Sequence, residues 1–120
     1  MNDKIHIRNL KMQTIVGTRP NERITPREVI FNIILECDMR PAAEHDDLNL
    51  AIDYSEVRDR LVALGEKSQY YLIETLAQSA AEICLDFPGV KTVTVILDKP
   101  GALKKADSVA VEISRSRKCN

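Results

Sequence analysis

The chain has 120 residues, the size of one ordinary domain, and 44% hydrophobic with 29% charged residues is a balance that excludes disorder. A net charge of −1, from 17 basic and 18 acidic residues, leaves no basic excess for gripping nucleic acid. No apolar run approaches the roughly 20 residues needed to span a bilayer, and the N-terminal MNDKIHIRNL has no signal-peptide core, so a cytoplasmic location is expected.

Residues 4–16, KIHIRNLKMQTIV, read as a strand. Ile5 and Ile7 share one parity and Leu10 and Met12 the other, which predicts a bulge near Arg8 and Asn9. Residues 17–26, GTRPNERITP, are rich in turn formers. Residues 27–37, REVIFNIILEC, form a second strand, with Val29, Phe31, Ile33, Leu35 and Cys37 on one face. Ile30 and Ile34 put apolar groups on its other face, which hints at a partner subunit.

Residues 38–53 are polar and read as an irregular crossing segment. Asp53 and Glu56 have capping-box spacing at the start of a helix over 54–66, with Val57, Leu61 and Leu64 on its apolar stripe. Ser68 is expected to cap a second helix over 69–86, whose core face is Ile73, Leu76, Ala77, Ala80, Ile83 and Cys84. Phe87-Pro88-Gly89 stops it. Residues 90–98 and 107–115 are the third and fourth strands, and Lys99 is the next position on the face of Val93, Val95 and Leu97. The order ββααββ predicts an α+β fold, a four-stranded antiparallel sheet with both helices on one face. Residues 1–120 read as a single domain without repeat or linker.

Cys37, Cys84 and Cys119 fit neither a metal knuckle nor a disulfide framework, and Cys37 and Cys84 read as small core residues. His6 and His45 share no ligand pattern, so no metal site is expected. The four glycines are scattered and make no phosphate loop. The basic run Arg115 to Lys118 reads as a solvated terminus.

The candidate chemistry rests on few residues, each with a plainer alternative. Lys99 at a strand end most often snorkels to solvent, and a catalytic role needs a carboxylate or phenol beside it. Glu74, at the start of a helix and the edge of an apolar stripe, is either a surface carboxylate or a clamp for a planar amidine-like group. Glu22 lies in the turn-rich loop, flanked by Arg19 and Arg23, which read as solvated charge. Tyr54 offers a phenol that could pass a proton, or a ring that staples the helix start.

Four segments together resemble the dihydroneopterin aldolase family: TIVGTRPNER (14–23), DDLNLAIDY (46–54), YLIETLA (71–77) and LDKPGAL (97–103). The resemblance implies the tunnelling fold, with four subunits joining sheets edge to edge and two rings stacking, hence a homo-tetramer or homo-octamer with sites between subunits. It implies a retro-aldol cleavage of 7,8-dihydroneopterin, with no cofactor, no metal and no Schiff base. It implies that Glu74 clamps the pterin, that Lys99 drives proton transfer, and that Glu22 supports the side-chain hydroxyls and the lysine. Tyr54, from a neighbouring subunit, would deliver or remove a proton, and the backbone around Ile73 and Ile52 would meet the ring edges. Thr18-Arg19-Pro20-Asn21 stands where many relatives carry an aromatic or aspartate-rich loop. The ADSV run at 106–109 and the preceding Asp98-Lys99 are similar to a sister branch, the dihydroneopterin triphosphate epimerases, and Arg19 and Arg23 could meet phosphate. Pro100-Gly101 and Glu22 favour the aldolase. A non-catalytic ring-forming module that binds a pterin or purine is the remaining alternative.

Overall fold

The phase change in the first strand is a real bulge. In a computed structural model describing residues 2–117, β1 (Asp3–Val16) pairs antiparallel with β2 (Arg27–Cys37). Ile7 faces Ile33 but Leu10 faces Phe31, so β1 carries one residue more than β2 between these pairs. Asn9 makes this possible by adopting φ 51°, a left-handed conformation that asparagine tolerates. Its backbone N–H donates to Asn32 Oδ1 at 3.0 Å, which satisfies an amide taken out of the ladder. The extra residue resets the parity, and Ile5, Ile7, Leu10 and Met12 all join one core.

The sheet has five strands in the order β3-β1-β2-β4-β5, with β4 at Thr92–Pro100 and β5 at Ser108–Ser116. This corrects the expected four-stranded antiparallel sheet. The added strand, β3 (Gln69–Tyr70), runs parallel to β1 beside Ile15 and Val16, so the sheet is mixed. Helical periodicity assigns the same two residues to the second helix. They pair instead because the end of β1 offers free ladder groups, which no pattern in the sequence reveals. Ser68 therefore caps no second helix. Its N–H donates to the Leu64 carbonyl at 2.9 Å at the end of the preceding one, and its buried hydroxyl finds no hydrogen-bond partner among the described residues.

Residues 38–53 are also more ordered than their polarity suggests. They contain a short helix, α1 (Arg40–His45), and a 3-10 turn at Leu48–Leu50 that the Asp47 carboxylate caps by accepting from the Asn49 N–H at 2.9 Å. The helix α2 (Tyr54–Lys67) starts as expected, with the Asp53 carboxylate accepting from the Glu56 N–H at 3.2 Å. The helix α3 spans Ile73–Leu85.

Both long helices lie on one face of the sheet. Val57 and Leu61 of α2, and Leu76, Ala77, Ala80 and Cys84 of α3, pack against Phe31, Ile33, Leu35, Val93, Val95 and Leu97. Ile30 and Ile34 alternate with that core and stay half-buried on the opposite face. Cys37 and Cys84 are buried free thiols, as core residues should be, and burial pushes the Cys84 thiol up to about 12. Arg117 closes the C-terminal end of α3 by donating to the carbonyls of Leu85, Phe87 and Val90. Lys118 and Cys119 lie outside the described residues. No helix among the described residues is long and apolar enough to cross a membrane.

Candidate active site

β4 delivers Leu97 to the core and then Lys99, two residues on and on the same face. Leu97 is fully buried, whereas the Lys99 side chain keeps 13% exposure just past the end of the core. An ammonium so nearly enclosed needs a counter-charge. It has one: Glu22 Oε2 lies 2.5 Å from Lys99 Nζ, and the glutamate side chain is itself only 12% exposed. The reading of Lys99 as a lysine that snorkels to solvent therefore gives way, and the carboxylate that the catalytic alternative required is present.

The loop that supplies Glu22 is shaped by three features. Pro20 opens a 3-10 turn over Pro20–Arg23, which aims Glu22 back at the sheet. Glu22 Oε1 accepts from the Arg19 N–H at 3.1 Å. Gly17 leaves β1 with φ 137°, and a Cβ there would collide with the Glu22 carboxylate. The hydrogen bond from Lys99 holds the Glu22 carboxyl below its ordinary 4.5, opposed by partial burial and assisted by the Arg19 N–H.

Gly17→Ala is expected to cost about 1–3 kcal/mol from strained backbone, and to push Glu22 off Lys99. Thermal melting and turnover check this together: both should fall, and a protein that melts and turns over like wild type sinks the account.

Glu74 is the second residue of α3, exposed, in the turn where the helix dipole favours an anion. It lines a cleft of about 240 Å³ whose walls include Glu22, Lys99 and Ile73. Thr18 and Arg19 of the loop also line it, as does Val109, which stands opposite Lys99 on β5. A cation paired to one carboxylate, facing a cavity shared with a second carboxylate, can move a proton at one end and hold a planar donor edge at the other.

Not every expected residue joins this cleft. Tyr54, at the start of α2, is 63% exposed and does not staple the helix. With Ile52 it lines a separate, larger cavity of about 380 Å³, walled by Ile5, Cys37, Met39 and Leu50. Asp38 also lines that cavity, with its carboxylate paired to the exposed Arg40, whereas the smaller cleft has the nearly enclosed Lys99–Glu22 pair in its wall. Among the described residues no three His, Cys, Asp or Glu side chains converge. Arg23 is neither solvated charge nor free for phosphate, because its guanidinium is bound to three backbone carbonyls. The sequence carried a signal for Gly17, a glycine ending a strand before a turn, and for Val109, through the β4–β5 hairpin parity. It carried none for the carbonyls around Arg23.

The family model described as dihydroneopterin aldolase matches residues 5–114. The chain is 38% identical over 117 residues to the dihydroneopterin aldolase of Streptomyces coelicolor, covering 96% of this chain and 98% of that protein. It is 28% identical over 113 residues to the dihydroneopterin triphosphate 2'-epimerase of Escherichia coli K12, covering 94% of each. The crystal structure of E. coli dihydroneopterin aldolase in complex with neopterin superposes with a TM-score of 0.90 at 30% identity, covering 95% of this chain and 99% of that one. The chain spans 17% of the length of a Dictyostelium discoideum folic acid synthesis protein, to which it is 32% identical over 114 residues.

Proposed function

The chain belongs to the dihydroneopterin aldolase family, and we propose that its cleft breaks the C1'–C2' bond in the side chain of 7,8-dihydroneopterin. The activity is that of an aldehyde-lyase: a retro-aldol cleavage giving 6-hydroxymethyl-7,8-dihydropterin and glycolaldehyde. A base takes the proton of the 2'-hydroxyl, the C1'–C2' bond breaks, and its electron pair moves into the C6–N5 imine of the pterin. The departing two carbons leave as glycolaldehyde. A proton then returns to C1', which completes the hydroxymethyl group.

The observation that carries this assignment of roles is the shared cleft of Glu74, Lys99 and Glu22. Glu74 accepts two parallel hydrogen bonds from the pterin 2-amino group and N3–H, and the backbone at Ile73 meets the ring edge. Lys99, oriented by Glu22, moves the proton at the side-chain end, directly or through water. Tyr54 and Ile52 reach this chemistry only from a second copy of the chain, since within one copy they line another cavity. Exposed apolar groups support such an arrangement. Tyr71 and Leu72 are exposed at the cleft, while Leu48, Leu50 and Tyr54 are exposed beside the other cavity. Two different patches on one chain meet as a heterologous contact, which makes a ring when the rotation between copies closes. A homo-tetramer, or two stacked rings, is the assembly we infer.

The test is direct. Purified protein incubated with 7,8-dihydroneopterin should release glycolaldehyde and 6-hydroxymethyl-7,8-dihydropterin in equal amounts. Tight pterin binding with no glycolaldehyde would overturn the catalytic reading in favour of a binding module. The epimerase relative and the exposed Arg19 at the cleft favour one second reading, a triphosphorylated substrate. Faster turnover on the triphosphate than on the free alcohol would select it.

A further inference from the structure

We propose that Arg23 is a positioning residue that ties the two walls of the cleft together and so sets where Glu22 and Lys99 stand relative to Glu74. The inference rests on the aldolase reading above.

Arg23 directly follows Glu22 and ends the 3-10 turn. Its side chain is half-buried and lies behind the wall, bound to Gly17 and stacked on Tyr71, which line the cleft, while Arg23 itself does not. Nη1 donates to the carbonyls of Gly17 at 3.1 Å and Tyr70 at 2.9 Å, and Nη2 donates to that of Gln69 at 2.6 Å. The guanidinium carbon sits 4.0 Å above the Tyr71 ring. These partners lie on two different segments. Gly17 is where β1 gives way to the Glu22 loop, and Gln69-Tyr70 is β3, which leads through Tyr71 and Leu72 into α3 and Glu74. The Gly17 N–H donates to the same Tyr70 carbonyl at 3.1 Å, so the guanidinium reinforces a junction the backbone has begun.

Geometry selects arginine here. A guanidinium is a rigid planar fork that can serve several acceptors at once and stack on an aromatic face. An ammonium on a flexible stem cannot hold three carbonyls and a ring together. All three partners are neutral, and Arg23 makes no salt bridge among the described residues. Its contribution is therefore to hold two segments in register. Loss of the fork lets the Glu22 turn drift from Lys99 on β4 and lets the α3 entrance drift with Glu74. The charged groups facing Glu22 are Lys99 from β4 and Arg19 from its own turn, with Glu74 of α3 lining the same cleft.

The experiment compares Arg23→Ala and Arg23→Lys with wild type in kcat, KM, the acid limb of the kcat/KM profile and the melting temperature. Arg23→Ala should lose at least about tenfold in kcat/KM, with kcat lowered and KM raised, because both walls move. Its acid limb should shift to higher pH, since a Glu22 less firmly paired takes up a proton sooner. Arg23→Lys keeps the charge, so a limb shift there reports geometry alone, and it should recover stability better than kinetics. A purely structural arginine predicts a lower melting temperature with wild-type kinetic constants and limb, and that result overturns the inference. Should Arg23→Ala not fold, Arg23→Lys decides by the same readouts, with wild-type values again overturning it. A wild type that releases no glycolaldehyde overturns both this inference and the aldolase reading, whereas an active wild type with indifferent Arg23 variants overturns this inference alone.

Discussion

Lys99→Ala should lower kcat on 7,8-dihydroneopterin by about 10²–10⁴-fold, the usual worth of one positioned proton-transfer group. The expectation follows from placement. The strand fixes the direction of the lysine, the adjoining core restricts its exposure to 13%, and Glu22 fixes its ammonium. Removing it also leaves Glu22 nearly enclosed without its partner, at a cost of about 1–3 kcal/mol. The pH dependence of the pair has a definite sign. The folded Glu22 carboxyl lies below its ordinary 4.5, so the pair stabilises the fold fully above that value. The stabilisation fades as pH falls through the depressed value. Lys99→Ala should abolish this contribution, so its stability should depend less on pH in the acid range. Glycolaldehyde release and acid-melting curves check the two halves. A folded Lys99→Ala protein with wild-type turnover removes the lysine from the mechanism.

Glu74→Ala should raise the dissociation constant for the pterin product by about 100-fold. Hydrogen bonds to a charged group contribute about 1.5–3 kcal/mol each, and about 1.4 kcal/mol is a factor of ten in affinity. Two such bonds, less the water that replaces them, leave roughly this loss. Glu74 occupies the first turn of α3, and its exposed position makes the fold indifferent to its removal. Melting should therefore stay unchanged while binding falls, the opposite division from Lys99→Ala. Pterin titration by fluorescence measures the effect. An affinity within about twofold of wild type would show that the ring is held elsewhere.

These two expectations are unequally legible in the sequence. Glu74 at the start of a helix follows from local pattern, and the structure moves that start only from residue 69 to Ile73. Lys99 on the core face of β4 also follows, because strand parity is local. That its ammonium meets Glu22 does not follow from pattern. The partner comes from a loop between two other strands, and only the sheet order β1-β2-β4 carries that loop to the end of β4. The resemblance of motifs implies that Glu22 supports the lysine, and the folded chain supplies the contact itself, Glu22 Oε2 at 2.5 Å from Lys99 Nζ. Arg23 reads as free charge in the sequence because its partners are backbone carbonyls, which every residue has and no sequence distinguishes.

Residue spacing was enough to establish which side chains are buried together: the bulge at Asn9, the capped start of α2, the apolar stripes and the family motifs. Each of these depends on residues near one another along the backbone, where a period of two or of 3.6 is readable. The parallel pairing of β3, the distance and burial of the Lys99–Glu22 pair, the fork of Arg23, and the separation of Ile52 from the cleft arose only in the folded molecule. Those are encounters between segments distant in sequence, set by how strands are ordered and how edges satisfy their hydrogen bonds, and no local period encodes them.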